Sequence, residues 1–350
     1  MALLCLLLIL GSISLSSSYT QDIPAPRYNI SLDDPPEERW EPVLKHYNFS
    51  LLREILDHFF DSVVPKWVHA IIRPLAEVDL GLYMNEPYAG EIRGIAKTLG
   101  VSAGDVVLLN LCYEATAFCT SIIAQDTKGN IHHGRNLDYF FPDLLRKLTM
   151  DLDFIRNGQI VYTGTTFLGY VGLWTGQSPY KFTISGDARE RGGGWWKNAI
   201  SAFLKRYSMV SWLMRDTLND ATDFQAAALR LSKTPIIAEV YYIMGGTKPN
   251  EGVVITRNRA GPADIWPLDA LRGEWFHVET NYDHWLTPPT SDDRRTPAIK
   301  ALNATGQANI SADTLYKVLS VKPVLNSITI YTTVMSAAFP ENYKTCIRKV

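Results

Sequence analysis

The chain has 350 residues, of which 46% are hydrophobic and 20% are charged, and its formal net charge is −2 at pH 7. This composition is typical of a globular protein with a substantial core and excludes a chain that is disordered throughout. The small net charge comes without a basic stripe or an acidic tail, so nucleic acid is not expected as a partner.

Residues 1–19 have the features of a secretory signal peptide. The apolar run from Leu3 to Leu10 is followed by small and hydroxylated residues, although no positive charge precedes it. A membrane anchor is the alternative, but the run is too short for a hydrocarbon core of ~30 Å. Four N-glycosylation sequons agree with passage through the secretory pathway. They begin at Asn29, Asn48, Asn303 and Asn309.

The cysteine count leaves a thiol to be explained. Removal of the signal peptide takes Cys5 away and leaves Cys112, Cys119 and Cys346. An odd number of cysteines cannot pair completely within the chain, and no C-x-x-C pair suggests a zinc site, so no metal is expected. The unpaired thiol is either a nucleophile or a buried inert side chain, and the count alone favours the inert one.

Two segments are predicted to be helices with large apolar stripes. After an extended lead-in over 20–42, apolar pairs recur every four residues from Leu51 to Ile72, and Pro65 is expected to kink this helix. The second segment, 195–218, combines large apolar residues with cations. Such stripes usually belong to a core, and the alternative is a surface that lies on a bilayer. In an acidic compartment, protonated histidines would make the protein surface cationic and favour anionic lipid.

The other predicted elements alternate between strands and helices. Strands enclosed by groups of helices indicate sheets that are sandwiched between helical layers. Strands are predicted at 119–125, 131–134, 159–166, 180–185, 238–244, 252–256, 275–280 and 327–335, and helices at 91–99, 223–233, 297–302 and 311–318. The first two strands flank a short turn and form a hairpin.

The common catalytic motifs are missing from the sequence. There is no G-x-S-x-G, H-E-x-x-H, P-loop or G-x-G-x-x-G after a strand, which argues against a common serine hydrolase, a zinc protease and a nucleotide enzyme. A hairpin that starts at Cys119 brings Arg135 and Asp138 back alongside it. A cation lowers the pKa of a thiol, and a carboxylate can orient an amine that serves as base. The alternative, of equal weight, is a surface turn with an ordinary Arg–Asp pair.

Three motifs make the chain similar to a known family. They are Cys119-Thr-Ser-Ile with the downstream Gly134-Arg135-Asn136-Leu137-Asp138, the run from Thr163 to Gly176, and Thr280-Asn281-Tyr282-Asp283-His284-Trp285 with Asp292-Asp293-Arg294-Arg295. Together they resemble the N-acylethanolamine acid amidases, which are relatives of acid ceramidase among the N-terminal-nucleophile cysteine hydrolases. The resemblance covers essentially the whole chain after residue 19. It implies an α+β fold with an αββα sandwich, and no cofactor.

The resemblance also implies how the chain matures. Members of the family are made as inactive precursors that cut themselves before the nucleophilic cysteine. Here the cut falls between Phe118 and Cys119, which gives a mainly helical α subunit of residues 20–118 and a catalytic β subunit of residues 119–350. The two pieces remain together as an α/β heterodimer.

Site residues follow from the same resemblance. The thiol of Cys119 is the nucleophile and its new α-amine is the general base, so no histidine is required. Asp138 orients the amine, and Arg135 favours the thiolate and helps to fix the acyl carbonyl. Asn281 donates to the oxyanion, and Arg294 has a supporting role.

The sequence departs from its relatives in two places. Relatives carry an acidic residue and an arginine in a Gly-Asp-Glu-Arg setting, whereas this chain reads Gly-Asp-Ala-Arg-Glu over 186–190. Either the glutamate is lost at Ala188 or Glu190 takes its place, and its role stays open. Relatives of the acid ceramidase type join their subunits through an early cysteine. Because no cysteine lies between Cys5 and Cys112, the subunits are expected to hold together without that bridge.

The function implied by the resemblance is that of an acid-active lysosomal amidase. It hydrolyses N-acylethanolamines, such as N-palmitoylethanolamine, to a free fatty acid and ethanolamine through an acyl-thioester on Cys119. It does so in peripheral contact with anionic lysosomal membranes. One alternative is a ceramide-hydrolysing acid amidase. The other is a lipid-binding scaffold that keeps the fold but is never processed.

Overall fold

The computed structural model describes residues 22–50, 80–82, 84–113, 118–189 and 207–350, together with Arg53 and Pro74. Four features discussed above lie wholly or mostly outside these residues. They are the predicted signal peptide, the helix predicted over 51–72, the first half of the segment 195–218, and Glu190.

The described elements follow one another as strands with intervening helices. The helices are α1 (Glu41–Leu44), α2 (Tyr88–Leu99), α3 (Ala103–Tyr113), α4 (Pro142–Leu148), α5 (Val210–Asp220), α6 (Phe224–Lys233), α7 (Arg295–Thr305) and α8 (Ala312–Val318). The strands are β1 (Ile23–Pro24), β2 (Arg27–Ser31), β3 (Phe118–Gln125), β4 (Ile131–Asp138), β5 (Thr149–Arg156), β6 (Gln159–Phe167), β7 (Thr175–Ser178), β8 (Phe182–Ala188), β9 (Val240–Gly245), β10 (Gly252–Arg257), β11 (Pro262–Pro267), β12 (Phe276–Glu279), β13 (Thr329–Met335) and β14 (Lys344–Ile347).

The strands form two sheets that pack face to face. The 6-stranded sheet has the order β1-β14-β13-β4-β3-β12, and the 8-stranded sheet has the order β11-β10-β9-β8-β7-β6-β5-β2. Apolar side chains such as Ile123 from the first sheet and Ile243 from the second form the layer between them. Helices α7 and α8 pack against the outside of the 6-stranded sheet, and α5 and α6 against the 8-stranded sheet. The predicted αββα sandwich is therefore confirmed.

The β3–β4 hairpin sets the register of the candidate site. Its turn is closed by the Asp126 carboxylate, which accepts from the backbone N–H groups of Lys128 at 2.8 Å and Asn130 at 2.9 Å. Gly129 has a φ of +88°, a conformation that glycine adopts without strain. The resulting antiparallel pairing places Ser121 opposite Arg135. A one-residue slip of either strand would place the two side chains on opposite faces of the sheet, so the turn fixes which residues meet between the sheets.

Helix starts were predictable where the capping chemistry is strong. The Asp223 side chain accepts from the Ala226 N–H at 2.9 Å and caps α6. Ser311 and Thr314 form a reciprocal capping box at the start of α8. Each cap satisfies backbone donors that the first helical turn leaves without an intrahelical partner. Both helices begin within one residue of the predicted positions.

The segment before Cys119 adds an edge strand to each sheet. Strand β1 pairs with β14 in the 6-stranded sheet, and β2 pairs with β5 in the 8-stranded sheet. The β2–β5 pairing is parallel, whereas the other strand pairs are antiparallel. The piece that we expected to be mainly helical therefore also takes part in both sheets through backbone hydrogen bonds.

A buried ion pair ties the same segment to the rest of the protein. Glu91 on α2 accepts from the guanidinium of Arg215 on α5 at 2.6 and 2.7 Å. Trp40 donates to the same carboxylate at 2.9 Å, and Arg39 at 3.1 Å. Burial opposes ionisation, but the Arg215 charge and these hydrogen bonds outweigh it and lower the pKa of Glu91. A depressed pKa contributes stability that is lost only when the pH falls through the folded-state value, so the pair persists into the acidic range.

Replacing Glu91 by Gln should destabilise the protein strongly, because it leaves the Arg215 charge buried without its counter-charge. Breaking a buried pair in this way costs ~3–5 kcal/mol, measured as the free energy of unfolding in urea. The matched control is Glu37→Gln, which removes an ion pair to Arg93 at 2.9 Å in which the Glu37 side chain is 45% exposed. That loss should stay below ~1 kcal/mol. Equal losses for the two variants would contradict the role given to the buried pair.

The described half of the segment 195–218 belongs to the core. Trp212 on α5 stacks on Tyr88 with a ring separation of 4.2 Å, and the Tyr88 hydroxyl donates to Asp216 at 2.5 Å. The core interpretation is thus correct for residues 210–218. Among the described residues no single helix is long and apolar enough to span a membrane, although α2 and α3, bent by 119°, reach that length and hydropathy together.

Candidate active site

Cys119 lies at the start of β3 and is completely buried. The guanidinium of Arg135, on the neighbouring strand β4, donates from Nη2 to the Cys119 Sγ at 2.6 Å. The thiol itself faces the Gly186 carbonyl oxygen on β8 at 3.8 Å. The sulfur is therefore enclosed between the two sheets, with a cation from one sheet and a carbonyl oxygen from the other.

The Arg135 guanidinium is held in place by the 8-stranded sheet. Its Nη2 also donates to the Gly186 carbonyl at 3.1 Å, and its Nη1 donates to the Thr175 hydroxyl at 2.9 Å and to the Trp174 carbonyl. Because these acceptors fix the plane of the guanidinium, the cation keeps its position beside the sulfur. This is the preorganisation that an activated thiol requires.

Electrostatics at the sulfur are the sum of opposing effects. Burial raises the pKa of Cys119 to about 12 in the uncut chain, whereas Arg135 and Arg294 lower it and the carboxylates of Asp187 and Asp138 raise it further. Arg135 thus acts in the expected direction, but it does not outweigh desolvation and the two acids. A partner that takes up the proton and a loss of negative charge nearby would each favour the thiolate.

The backbone nitrogen of Cys119 is held by Asn281. The Asn281 Oδ1 accepts from the Cys119 N–H at 2.9 Å and from Arg294 Nη2 at 2.8 Å. The Asn281 Nδ2 donates to the Ala188 carbonyl at 2.7 Å. In the uncut chain, Asn281 is therefore an acceptor toward Cys119, and its donor group contacts β8.

Arg294 joins these groups just before α7. Its Nη1 donates to the Cys119 carbonyl and lies 3.6 Å from the Asp138 carboxylate. Its Nε and Nη2 donate to Asp292 at 2.7 and 2.8 Å. Arg294 therefore contacts both sides of the Cys119 backbone, directly at the carbonyl and through Asn281 at the nitrogen.

Asp138 is buried at the end of β4, directly opposite Phe118 in the register. Asn326 donates to its Oδ2 at 2.9 Å. Burial raises the pKa of Asp138, and the charge of Arg294 opposes this rise. Among the described residues, the Asp138 Oδ1 has no hydrogen-bond partner. A buried carboxylate oxygen without a donor is costly.

The alternative of a surface turn with an ordinary Arg–Asp pair is wrong. Arg135 and Asp138 are both fully buried, and they point to different partners because side chains three positions apart leave a strand on opposite faces. Arg135 lies 3.7 Å from Asp187, and Asp138 lies 3.6 Å from Arg294. The structure therefore contains two buried Arg–Asp pairs, one on each side of Cys119.

Sequence reasoning missed Asp187 and its hydroxyl partners. The Asp187 Oδ1 on β8 accepts from the Ser121 hydroxyl at 2.7 Å, and Ser121 accepts from Ser185 at 2.8 Å. His133 continues the chain with a contact of 2.8 Å from its Nε2 to Ser185. The signal that could have found them is the alternation of polar residues at 183, 185 and 187 along β8, which places these side chains on one face of the strand.

The remaining predictions concern Glu190, a metal site and the glycosylation sequons. Glu190 lies outside the described residues, and the Ala188 carbonyl is engaged by Asn281. The described residues contain no group of three or more His, Cys, Asp or Glu side chains that could hold a metal ion. The asparagines of the four sequons are all exposed, as glycosylation requires.

Comparison with known proteins gives consistent matches. A family model described as the beta subunit of N-acylethanolamine-hydrolyzing acid amidase matches residues 23–80, a stretch within the piece that we labelled the α subunit. The N-acylethanolamine-hydrolyzing acid amidase of Cavia porcellus is 60% identical over 325 residues, which is 93% of this chain and 91% of that relative. The acid ceramidase of Homo sapiens is 38% identical over 334 residues, which is 89% of this chain and 83% of that relative.

A solved structure agrees with the sequence matches. The Caenorhabditis elegans ortholog of N-acylethanolamine-hydrolyzing acid amidase superposes with a TM-score of 0.62 at 39% identity, and the match covers 66% of this chain and 100% of that chain.

Proposed function

The chain belongs to the family of N-acylethanolamine-hydrolyzing acid amidases, and we propose on this premise that Cys119 is the residue that attacks the amide. The protein is a hydrolase of N-acylethanolamines, which it converts to a free fatty acid and ethanolamine. One observation carries the assignment to Cys119. Its sulfur accepts from Arg135 at 2.6 Å, and its nitrogen donates to Asn281 at 2.9 Å. The thiol that would act as nucleophile and the nitrogen that would become the α-amine are therefore both held in place before the cut.

The active protein is a processed α/β pair that acts on an amide. The cut that we propose lies between Phe118 and Cys119, giving pieces of residues 20–118 and 119–350 after removal of the signal peptide. In support, Cys119 is bound on both sides of its backbone, by Asn281 at the nitrogen and by Arg294 at the carbonyl. Such fixed geometry favours attack of the thiol on the preceding peptide bond.

Turnover then uses one residue as nucleophile and base. The thiol proton of Cys119 passes to its own α-amine, and the sulfur attacks the substrate carbonyl carbon. The C–N bond breaks, ethanolamine leaves with the proton from the amine, and a thioester remains. Water attacks the thioester with the amine as base and releases the fatty acid. Asp138 is suited to orient the amine, because its Oδ1 needs a donor.

The acyl carbonyl requires donors as charge develops on its oxygen. Arg135 Nη2 is one such donor beside the sulfur. For Asn281 to be another, its Nδ2 exchanges the bond to the Ala188 carbonyl for one to the substrate oxygen. A donor of this kind contributes roughly 3 kcal/mol to the transition state. Arg294 keeps the Asn281 amide in the required orientation through its Oδ1.

We place the protein in the lysosome, reached through the secretory pathway and glycosylated at its four sequons. The signal-like start and the exposure of the four asparagines support this route. Peripheral contact with anionic lysosomal membranes is part of the same proposal. It is supported by the apolar stripe with cations that the sequence carries over 195–206.

Intact mass and substrate preference test the proposed function together. After incubation at about pH 4.5, which lies just above the ordinary pKa values of Asp and Glu, the chain should become two pieces, one that ends at Phe118 and one that begins at Cys119. The matured protein should hydrolyse N-palmitoylethanolamine at least ~10-fold faster than ceramide. A preference for ceramide would support the ceramidase alternative. An uncut chain that binds lipid without turnover would support the scaffold.

A further inference from the structure

Asp187 is a buried carboxyl group that the proposed reaction does not use. It lies on β8 with no exposed surface, opposite Tyr241 of β9 in the sheet register. Its Oδ1 accepts from the Ser121 hydroxyl at 2.7 Å and is 3.7 Å from Arg135 Nη2. Its Oδ2 has no hydrogen-bond partner among the described residues. The same Arg135 nitrogen that contacts Asp187 also contacts the sulfur of Cys119, so the two groups compete for one cation.

The hydroxyl chain behind Asp187 fixes the carboxyl from the other side. Ser185 donates to Ser121, and His133 Nε2 contacts the Ser185 hydroxyl at 2.8 Å. The His133 Nδ1 contacts Thr183 at 2.9 Å. Burial lowers the pKa of His133 to about 3, so this imidazole is neutral from acidic to neutral pH. In this hydroxyl chain Ser185 donates to Ser121, and the Ser121 hydroxyl donates to Asp187.

Other charged groups around Asp187 come from three further elements. Arg294 and Asp138 lie on the far side of Cys119 and are paired with each other at 3.6 Å. Glu279 on β12 is buried, accepts from the Thr280 N–H at 2.9 Å, and lies 3.7 Å from Arg295. Burial holds the pKa of Glu279 well above its usual range. The phenol of Tyr241, on β9, donates to Asp283 at 2.7 Å.

We propose that Asp187 is a positioning residue that draws the Arg135 charge away from the Cys119 sulfur when it is ionised and leaves that charge to the thiolate when it is protonated. This inference rests on the proposed function of Cys119. It assigns the acid activation of the site to one carboxyl group, which acts through Arg135 and does not itself touch the substrate. The unpartnered Oδ2 can take up the proton while Oδ1 keeps its bond to Ser121.

The direction of the effect follows from the charges. Burial raises the pKa of Asp187 to about 7, and the charge of Arg135 and the hydrogen bond from Ser121 oppose that rise. Asp187 is therefore protonated at acidic pH and ionised above neutrality. The ionised form raises the pKa of the Cys119 thiol, so a rise in pH through about 7 disfavours the thiolate. The activity that protonated Asp187 supports is therefore present at acidic pH and is lost as the pH rises through about 7.

Asp187→Asn tests the proposal, because the amide resembles the protonated carboxyl in shape and charge. Rates of self-cleavage and of N-palmitoylethanolamine hydrolysis are measured from about pH 4.5 to about pH 7.5. The ratio of the rate at the higher pH to that at the lower pH should rise at least ~10-fold relative to wild type, which corresponds to one unit of thiol pKa. The matched control is Asp153→Asn, which alters a buried carboxyl that accepts from Thr163 at 2.7 Å, and it should keep the wild-type profile.

Ser121→Ala gives a second test that does not alter the carboxyl. Loss of the hydroxyl donor disfavours the ionised form of Asp187, so the pH at which activity falls should move upward. If Asp187→Asn does not fold, the pH profile of Ser121→Ala tests the proposal in its place. Profiles of both variants that superimpose on wild type would overturn the proposal, as would an Asp187→Asn protein that folds but is inactive at every pH. If wild type cuts itself but does not hydrolyse the lipid amide, the proposed function fails, and the pH dependence of self-cleavage still tests the role of Asp187.

Discussion

Cys119→Ala should leave the chain as a single uncut polypeptide and abolish amide hydrolysis. The substitution removes the sulfur that Arg135 contacts at 2.6 Å and leaves the backbone bonds to Asn281 and Arg294 available. Loss of a nucleophile lowers kcat/KM by at least ~10⁴-fold, and without a cut no α-amine is formed. Intact mass after acid incubation and release of fatty acid from N-palmitoylethanolamine are the two measurements.

Cys346→Ala is the matched control for this experiment. Cys346 is also a buried free cysteine, but it lies on β14 opposite Thr332 of β13, away from the groups that surround Cys119. Its replacement should leave both self-cleavage and turnover close to wild type, with a loss of stability of about 1 kcal/mol for the removed sulfur. A processed and active Cys119→Ala protein would refute the mechanism.

Arg135→Met should lower kcat/KM by about 10³-fold while the protein stays folded. Methionine has a similar length, but it cannot stabilise a thiolate or donate to a developing oxyanion. It also removes the Arg135 hydrogen bonds to the carbonyls of Trp174 and Gly186, of which the Trp174 carbonyl keeps the Gly186 N–H as a donor at 3.0 Å. Self-cleavage should slow by a comparable factor, because the same thiolate attacks the Phe118 carbonyl. Steady-state rates on N-palmitoylethanolamine and the time course of chain cleavage measure the two effects.

Loss of a buried arginine also costs stability, and a second variant separates that cost from chemistry. Arg257 is fully buried too, but its guanidinium donates to backbone carbonyls, among them Thr234 at 2.8 Å. Arg257→Met should lower the midpoint of urea unfolding without changing the rate per folded molecule. If Arg135→Met and Arg257→Met have equal kcat/KM after correction for the folded fraction, Arg135 has no role at the sulfur.

Local sequence signals were sufficient for the hairpin that builds the site. The turn residues and the alternation of apolar side chains predict β3 and β4. Strand β3 begins one residue before its predicted start, and β4 continues four residues beyond its predicted end at Gly134. Helices with a strong cap, such as the one that follows Asp223, were also predictable. In each case, residues that are close in sequence decide the structure.

Elements that depend on distant partners could not be predicted in this way. Strands β5 and β7 carry threonines, glycines and aspartates, and they are ordered because β2, β6 and β8 pair with them. Helix α3 is almost uniformly apolar and gives no periodic signal, since it is buried on most of its surface. Tertiary context outweighs local propensity in such segments.

Contacts within the site show the same limit. The Asn281 Oδ1 faces the Cys119 nitrogen because the Arg294 guanidinium binds the same oxygen. No spacing in the sequence reveals this orientation of the amide. The buried pair of Glu91 and Arg215 joins residues that are 124 positions apart. Resemblance to a family supplied Asn281 and Arg294 as candidates, whereas Asp187 became visible only in three dimensions.

Because β1 and β2 are edge strands of the two sheets, a cut at the proposed Phe118–Cys119 bond would leave two polypeptides that are joined by backbone pairing. Before the cut, folding is a unimolecular event, since the edge strands are tethered to the sheets that receive them. Afterwards, recovery from unfolding requires two separate molecules to meet, and it becomes dependent on concentration. The proposed cut would thus leave the folded protein intact but make refolding bimolecular, and sheet edges exposed in the unfolded pieces would then favour aggregation.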